Sequence, residues 1–285
     1  RRLDRRVVCA FRIARRLTMP TDPVNAGVTF DAKTARSVER GYMTPEIAHQ
    51  RARTLAALDL QTGDHVLDVG CGPGLLVREM AEVIGLSGQA TGIDTSTAML
   101  DLARERCGDL PQVTLRDDDL RALPTEANHF DAIACTQVLL FIEDLAAALN
   151  ELARVLKPGG RIAVLETDWR GCILNTSDNA LTRRMFDTWD EVAISPNLPV
   201  RLNPLLRDAG FTDIQVEGIP ILNTTYEKGN FSYGFVRGLA RKCKDRGVIS
   251  DAQAKTWLAD FEQKDQDGAY FFCVNRFLFS AVKVS

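Results

Sequence analysis

Three glycines and two carboxylates are spaced along the chain in a way that suits a ligand containing a nucleoside. Gly70, Gly72 and Gly74 share one turn, where glycine lets the backbone approach a bulky ligand and the amides of the following helix terminus point towards it. Asp94 follows Gly74 by about twenty residues, and a carboxylate at that distance can accept hydrogen bonds from both ribose hydroxyls. Asp68, just before the turn, could orient groups that bind an amino-acid moiety. Together these residues predict a cofactor that contains a nucleoside.

The spacing of the glycines bears on which nucleoside cofactor is bound. Dinucleotide-binding turns follow the pattern Gly-x-Gly-x-x-Gly, whereas this turn is Gly-x-Gly-x-Gly over 70–74. The turn holds no arrangement suited to a pyrophosphate, and Asp68 lies just before it. A nicotinamide-dependent oxidoreductase is therefore the least favoured function.

The elements that must position these residues alternate between strands and helices. Helices of about 10 to 15 residues alternate with most of the first five strands, a rhythm that predicts a parallel sheet with helices on both faces. Ligands bind such a sheet outside the carboxyl ends of its strands, where the glycine-rich turn lies. The segments that we interpret as strands are 65–69, 89–93, 113–115, 130–136, 161–166, 211–221 and 270–284. A mostly helical insertion over 228–268 separates the last two.

Five short motifs occur in the order in which one large enzyme family has them. They are VLDVGCGPG at 66–74, GID at 92–94, DDL and ALP within 118–124, FDAI at 130–133 and LKPGG at 156–160. On these motifs the chain resembles the class I S-adenosylmethionine-dependent methyltransferases of the small-molecule type, similar to those of ubiquinone and menaquinone biosynthesis. The resemblance implies S-adenosylmethionine as the cofactor. It also implies a doubly wound α/β fold, with a seven-stranded, mostly parallel sheet, an antiparallel last strand and a helical cap.

The resemblance assigns cofactor-binding roles to matching positions. Asp94 would bind the ribose hydroxyls, Thr136 and Gln137 would close the site, and Tyr42 would hold the cofactor carboxylate. The glycine-rich turn would line the methionine and the ribose, and the segments after the second and third strands would surround the adenine. The implied cofactor-binding residues are Tyr42, Asp68, Gly70, Cys71, Gly72, Gly74, Asp94, Thr95, Met99, Asp119, Leu120, Thr136 and Gln137.

Several of these residues also have a purely structural interpretation. Asp94 and Asp119 could be helix caps, because short carboxylates favour that position. Met99 recurs at helical spacing and could be ordinary core, and Cys71 could be a small buried filler. Tyr42 could be plain packing. The sequence leaves these alternatives open.

The site of the methyl acceptor is less defined by the sequence. None of the three histidines is a convincing general base, since His65 and His129 precede strands at the end away from the ligand and His49 lies on an early helix. Asp168, just beyond the fifth strand, is the predicted catalytic residue for acid–base or orienting work, although it could equally be a solvated turn acid. Aromatic and amide side chains predict an apolar or aromatic acceptor. The predicted acceptor-binding residues are Trp169, Arg170, Asn203, Asn223, Tyr226, Phe231, Tyr233, Phe272 and Asn275.

These features predict methyl transfer to a small apolar or aromatic metabolite of specialised or quinone-like metabolism. Without a clear base, the acceptor is expected to be nucleophilic already, as an amine, an electron-rich ring or an alkene is. One alternative is a C-methyltransferase whose methylation of an alkene or electron-rich ring triggers cyclisation. A second alternative is a protein that binds the cofactor without transferring methyl.

Length, composition and charge limit the remaining possibilities. The chain has 285 residues, of which 45% are hydrophobic and 26% charged, as in ordinary folded globular proteins. No apolar run is long enough to span a membrane, and beyond residue 18 the chain is acidic, which makes it a poor partner for nucleic acid. The seven scattered cysteines indicate reduced thiols, a cytoplasmic location and no metal site.

We divide the chain into a short extension and one domain. Residues 1–34 are the predicted extension, and its first 18 residues hold seven arginines and helically spaced apolar residues, which predicts a basic amphipathic helix. That helix could be a frayed tail, a dock for a second copy in a homo-oligomer or a contact with an anionic membrane. Residues 35–285 are the predicted methyltransferase domain, with a cofactor-binding core over 60–170 and substrate cap segments over 171–204 and 222–268.

Overall fold

The computed structural model describes residues 31–190 and 194–284. Residues 1–30, and with them the predicted basic amphipathic helix, lie outside the described residues. The first helix of the described part begins at Ala32, close to the predicted start of the domain. Within these two ranges, no helix has both the length and the apolar character that crossing a bilayer requires.

One sheet of seven strands forms the centre of the described structure. Its strands in chain order are β1 (His65–Val69), β2 (Gln89–Ile93), β3 (Val113–Arg116), β4 (Phe130–Thr136), β5 (Leu156–Leu174), β6 (Phe211–Asn223) and β7 (Phe272–Lys283). They lie in the order β3-β2-β1-β4-β5-β7-β6. The first five pair in parallel, and β7 is antiparallel to both β5 and β6. The predicted mostly parallel sheet with an antiparallel last strand is confirmed.

Helices pack on both faces of this sheet. They are α1 (Ala32–Tyr42), α2 (Pro45–Leu58), α3 (Leu75–Ile84), α4 (Thr97–Cys107), α5 (Leu145–Val155), α6 (Asn179–Asp190), α7 (Pro199–Asp208), α8 (Phe231–Asp245) and α9 (Asp251–Gln266), with a short 3₁₀ turn at Leu139–Phe141. Pro45 opens α2, because its missing N–H has no partner to lose in the first turn of a helix. The α/β class that the sequence predicts is confirmed.

Alternate residues of the central strands point to opposite faces of the sheet and join two separate cores. On β4, Ile133 and Cys135 belong to one hydrophobic cluster, whereas Ala132 and Ala134 belong to the other. The first cluster includes residues of α5 to α9, and the second includes residues of α2, α3 and α4. Burial of both faces explains why the strands are continuous apolar runs rather than alternating ones.

The fifth strand is longer than the sequence predicts. It runs Leu156–Leu174, whereas the apolar pattern predicts only 161–166. The strand continues because β7 pairs with it along Arg161–Asp168 and again at Ile173–Leu174, with a bulge between the two stretches. Asp168 is therefore a residue within the strand, opposite Asn275, and not a residue of the loop beyond it.

The predicted cap segments are mainly helical. The segment 171–204 holds α6 and the start of α7, and the segment 222–268 holds α8 and α9. Helices α8 and α9 contact each other, and their Val236, Leu239, Trp257 and Phe261 are buried in the first core. These helices therefore share a core with the sheet, and their role as a substrate cap stays a prediction.

Candidate active site

A cavity of about 360 Å³ lies at the carboxyl ends of β1, β2 and β4. Gly70 follows β1, Asp94 follows β2 and Gln137 follows β4, and all three line the cavity. Ligands bind open parallel sheets at this edge, because the loops after the strands and the helix N-termini meet there. The cavity is therefore the place to look for a cofactor.

Most of the predicted cofactor-binding residues line this cavity. Those that do are Tyr42, Asp68, Gly70, Cys71, Gly72, Asp94, Thr95, Met99, Asp119, Leu120, Thr136 and Gln137. Gly74 does not line it. A Cβ atom at Gly74 would lie 2.9 Å from the Cα atom of Ala103, so this glycine lets α3 and α4 approach each other. The structure places Gly74 in helix packing, and the roles of the other residues towards a cofactor remain predictions.

The glycine-rich turn is held close to the loop that follows β4. Gly70 has a φ of +66°, and a Cβ atom there would lie 2.3 Å from Cγ2 of Val138. Gly72 has a φ of +52°, and a Cβ atom there would lie 3.8 Å from Cε2 of Tyr42. Residues with side chains adopt such positive φ angles at a cost. Glycine at these two positions therefore keeps the turn compact beside the cavity.

Asp94 is oriented by two backbone amides. The Gly72 N–H donates to Oδ2 at 2.9 Å, and the Ser96 N–H donates to Oδ1 at 2.8 Å. Burial raises the pKa of the Asp94 carboxyl, and these two N–H groups lower it in part. Each carboxylate oxygen keeps a second lone pair. The carboxylate is thus fixed in position and can still accept hydrogen bonds from a ligand.

Asp68 provides a buried carboxylate next to the turn. It is 1% exposed, and its Oδ2 atom has no hydrogen-bond partner. Burial, and after it the charge of Asp94, raises the pKa of Asp68 to about 8. A buried acceptor without a donor is costly. A ligand that brings N–H groups or positive charge to this end of the cavity would remove that cost.

Hydrogen bonds to β5 fix the loop that follows β4. Gln137 has a φ of +59°, which is uncommon for a residue with a side chain, and its N–H donates to the β5 backbone at 2.8 Å. The Thr167 hydroxyl donates to Oε1 of Gln137 at 2.6 Å. Oε1 of Glu166 accepts the N–H groups of Val138 and Leu139 at 3.1 and 2.8 Å. Because its surroundings hold the strained residue in place, this loop forms a fixed wall of the cavity.

Two further cavity residues, Arg276 of β7 and Gln50 of α2, are absent from the sequence-based predictions. Both line the cavity, they are 3% and 4% exposed, and Arg276 donates a hydrogen bond to Oε1 of Gln50. Alternation along β7 places Arg276 on the same buried face as Phe272, Val274 and Leu278. An arginine is rarely buried without a function or a charged partner. The alternation of residues along β7 is the sequence signal that could have identified Arg276 as buried.

The central part of the chain matches a known family. Residues 66–160 match the family model described as a methyltransferase domain, and this range contains the glycine-rich turn, Asp68 and Asp94. The chain contains a class I S-adenosylmethionine-dependent methyltransferase domain. S-adenosylmethionine is its cofactor, and the residues present fit that group, since the unpartnered Oδ2 of Asp68 and the remaining lone pairs of the fixed Asp94 carboxylate can accept hydrogen bonds from a ligand.

Curated relatives share parts of this methyltransferase sequence. A 37.1 kDa protein in transposon TN4556 of Streptomyces fradiae is 36% identical over 205 residues, which are 72% of this chain and 59% of that protein. The demethylmenaquinone methyltransferase of Staphylococcus aureus is 37% identical over 117 residues, which are 41% of this chain and 48% of that enzyme. The chain therefore spans less than two thirds of the length of either relative.

Solved structures share the methyltransferase fold. Phosphoethanolamine N-methyltransferase 2 of Haemonchus contortus, with phosphomonomethylethanolamine and S-adenosylhomocysteine, aligns with a TM-score of 0.59 and 21% identity, covering 89% of this chain and 58% of that one. The (4+2)-cyclase SpnF aligns with a TM-score of 0.56 and 25% identity, covering 84% of this chain and 82% of that one. The first likeness supports the fold alone.

The predicted acceptor-binding residues lie outside the lining of the cavity. They are Trp169, Arg170, Asn203, Asn223, Tyr226, Phe231, Tyr233, Phe272 and Asn275. Several belong to an aromatic cluster on α8 and the neighbouring strands, where the rings of Trp169 and Phe235 stack with centroids 4.9 Å apart. Phe231 is linked to the cavity, because its ring centroid lies 5.3 Å from the guanidinium carbon of Arg276. The sequence predicts an aromatic region, but the residues that it singles out there are not the ones that line the cavity.

The other predicted acceptor residues take part in local structure. Asn223 accepts the Ser232 N–H at 3.0 Å and donates to Glu46, which fixes the start of α8. The rings of Tyr226 and Tyr233 lie 4.9 Å apart. Arg170 is exposed, whereas Asn203 and Asn275 are half-buried.

Asp168, the predicted catalytic residue, does not line the cavity either. A Cβ atom at Gly171 would lie 2.6 Å from Oδ2 of Asp168, so the side chain lies against the bulge of its own strand. Asp168 of β5 pairs with Asn275 of β7, and its Oδ1 atom is buried without a hydrogen-bond partner. Among the residues that the structure describes, no histidine lines the cavity.

Proposed function

We propose that this protein transfers a methyl group from S-adenosylmethionine to a small apolar or aromatic metabolite of specialised or quinone-like metabolism. One observation carries the proposal. The cavity that contains the glycine-rich turn and Asp94 is also lined by apolar side chains of α2, of the loop after β4 and of the segment before α7, so that cofactor and acceptor would share one space. These apolar side chains are Ile47, Val138, Phe141, Ile142 and Ile194.

S-adenosylmethionine, when bound, supplies a methyl group on a positively charged sulfur. The cavity residues would position the cofactor and the acceptor. Asp94 would hold the ribose, Asp68 would accept from the amino-acid part, and Thr95 and Met99 would flank the adenine. Val138 and Phe141 would orient the acceptor and exclude water, since alignment in a dry site is the main requirement for an in-line displacement.

The side chains around the cavity bear on the type of acceptor. No histidine lines it within the described ranges. Of the carboxylates that line it, Asp68 and Asp94 lie at the glycine-rich turn and the end of β2, Asp118 and Asp119 pair with arginines, and Glu143 and Asp144 are exposed to solvent. A group that must lose a proton before attack needs a base. We therefore expect an acceptor that is nucleophilic without prior deprotonation by a protein base, such as an amine, an electron-rich ring or an alkene.

Identity to a quinone-modifying enzyme favours a quinone-like acceptor. The Staphylococcus aureus relative is by name a demethylmenaquinone methyltransferase, and the match spans 117 residues. An electron-rich aromatic ring of that kind suits the apolar end of the cavity. The match covers 41% of this chain and 48% of that enzyme, so the acceptor itself requires an experiment.

The test is transfer of labelled methyl to a small molecule. Purified protein is incubated with methyl-labelled S-adenosylmethionine and a small-molecule extract of the source organism. The expected result is a labelled organic product that the Asp94→Ala protein does not form. Asp101→Ala is the matched control, because it removes an exposed carboxylate of α4 that pairs with Arg104 outside the cavity. Tight cofactor binding without any labelled product would contradict methyl transfer.

Similarity to SpnF favours a second candidate. That protein is a (4+2)-cyclase, and the two chains cover more than four fifths of each other at 25% identity. The second candidate is either a C-methyltransferase whose methylation triggers cyclisation or a cofactor-binding protein that acts without methyl transfer. Mass spectrometry separates the two, since the first adds one methyl group to the product and the second gives an isomer of its substrate.

A further inference from the structure

Arg276 is a buried cation in the cavity wall with few partners. It is 3% exposed, and it lines the cavity together with Gln50. Among the described residues, it forms no ion pair within 4.0 Å, its side chain donates only to Oε1 of Gln50, and its Nε atom has no partner. A buried charge is unfavourable unless it is paired. The structure thus leaves Arg276 short of an anion.

The surroundings of Arg276 keep it charged without neutralising it. The ring of Phe231 lies 5.3 Å from the guanidinium carbon, a distance that permits a cation–π contact. The nearby acidic groups are Tyr42 and Glu166. Oε1 of Glu166 accepts backbone N–H groups of the loop after β4, and its Oε2 has no hydrogen-bond partner. Burial raises the pKa of Glu166 to about 8, so this carboxyl group is mostly protonated at neutral pH and does not neutralise Arg276. Burial lowers the pKa of Arg276 to about 10, so the group remains cationic at neutral pH.

Arg51, a second arginine that lines the cavity, differs from Arg276 because its charge has a partner. Arg51 donates from Nε to Glu79 at 2.8 Å and from Nη1 to the carbonyl oxygen of Tyr42 at 2.6 Å. Its charge is paired outside the cavity, and it holds α1 against α2. Of these two arginines, only Arg276 has a buried Nε–H group without a partner, and it lines the cavity.

We propose that Arg276, positioned by Gln50 and Phe231, binds an anionic oxygen of the methyl acceptor. The acceptor would then be an apolar or aromatic molecule that carries a carboxylate or a phenolate, with its apolar body against Val138 and Phe141. This inference rests on the proposed function, because it names the class of acceptor for the same cavity. Arginine is suited to this role, since its planar fork presents several donors to one acidic group.

The experiment compares anionic and neutral probes in binding. Calorimetry is carried out in the presence of saturating S-adenosylhomocysteine with benzoate and naphthoate against their amides, and with nitrophenolate against nitroanisole. The wild-type protein is expected to bind the anionic member of at least one pair about tenfold or more tightly. Preference in the carboxylate pairs or in the phenolate pair identifies which acidic group the site takes. No preference in any pair would overturn the inference.

Variants of the two arginines assign the preference to one side chain. Arg276→Gln is expected to remove the preference and to leave the affinity for S-adenosylhomocysteine within about twofold. Arg51→Gln is the matched control and is expected to retain the preference. Arg276→Met, which fills similar space without a polar head, replaces Arg276→Gln if thermal unfolding shows that the latter is not folded. A preference that survives in either neutral variant would overturn the inference.

Titration of S-adenosylhomocysteine alone separates this inference from the proposed function. If the wild-type protein does not bind it, the proposed function fails. If it binds and the anionic probes show no advantage, only the inference fails. A loss of about tenfold or more in S-adenosylhomocysteine affinity in Arg276→Gln would also overturn the inference, because Arg276 would then hold the cofactor carboxylate.

Discussion

The two ends of the cavity are built from very different distances along the chain. The cofactor end consists of the glycine-rich turn, the end of β2 and the loop after β4, within 68–137. Its shape depends largely on the backbone, as at Gly70 and Gly72. The end that we propose for the acceptor joins the side chains of Gln50 and Arg276, which are 226 residues apart along the chain. Binding of the cofactor thus needs mainly local geometry, whereas the proposed choice of acceptor depends on how the whole sheet is assembled.

The comparison predicts the largest effect for a backbone change at the cofactor end. Gly70→Ala is expected to lower the free energy of unfolding by about 2 to 4 kcal/mol, from the strained φ and the clash with Val138. It is also expected to weaken binding of S-adenosylhomocysteine, since Val138 must move. Chemical denaturation and calorimetry measure both quantities.

Gly159→Ala is the matched control for Gly70→Ala. Gly159 also has a positive φ, +72°, but a Cβ atom there would meet nothing within 4 Å. Only the backbone strain is expected, about 1 kcal/mol, without any change in ligand affinity. Equal losses of stability and affinity in the two variants would show that the turn does not depend on close contact with the loop after β4.

A smaller effect is expected for the fixed carboxylate. Asp94→Ala should weaken binding of S-adenosylhomocysteine by about 1 to 3 kcal/mol, because charge-assisted hydrogen bonds to the ligand are lost. Calorimetry on the wild-type protein, Asp94→Ala and the exposed control Asp101→Ala gives the comparison. Unchanged affinity in Asp94→Ala would remove the basis for placing the ribose at the end of β2.

Two fully buried carboxyl groups near the cavity, Asp68 and Glu166, have strongly raised pKa values, which predicts a pH dependence. Burial raises the pKa of both Asp68 and Glu166 to about 8. Between about pH 4 and 8 the folded state then binds protons that the unfolded state has lost, so stability falls as the pH rises, by up to about 1.4 kcal/mol per pH unit for each group. Above about pH 8 the loss is complete.

Isosteric variants show which carboxyl group causes this loss. Asp68→Asn and Glu166→Gln should each flatten the decline in the free energy of unfolding between pH 4 and 8, because the amide does not titrate. Thermal or chemical unfolding across that range measures it. A decline that is the same in both variants as in the wild-type protein would show that other groups cause it.

The smallest effect is expected at the residue that the sequence singled out for catalysis. Asp168 lies within β5 and outside the cavity lining, so Asp168→Asn should change the rate of methyl transfer by less than about twofold. A general acid or base in the site would instead account for a hundredfold or more. A loss of that size would support the sequence-based interpretation and would require the acceptor to reach the bulge of β5.

The sequence predicts that the glycine-rich turn and Asp94 lie at one edge of the sheet, because each of these parts is local. The glycine-rich turn follows β1 directly, and Asp94 ends β2, so strand pattern and motif together place both at one edge of the sheet. Gly74 shows the limit of such reasoning, since a glycine needed for the contact with Ala103 looks the same in a motif as one that faces a ligand.

The acceptor end is harder to predict because it depends on pairing between distant strands. The insertion of β7 between β5 and β6 brings Arg276 to the cavity, and the same pairing lengthens β5 past Asp168. Neither the position of Arg276 nor the full length of β5 can be predicted from the residue pattern of β5 alone. Alternation along β7 does place Arg276 on the buried face, so a search for buried cations would have found it.

A crystal structure of the protein with S-adenosylhomocysteine tests most directly the claim that one cavity holds cofactor and acceptor side by side. The account predicts the ribose hydroxyls on Asp94, the amino-acid part near Asp68, and open space between Val138, Phe141 and Arg276. A ligand whose carboxylate lies on Arg276, or whose ribose lies away from Asp94, would contradict it.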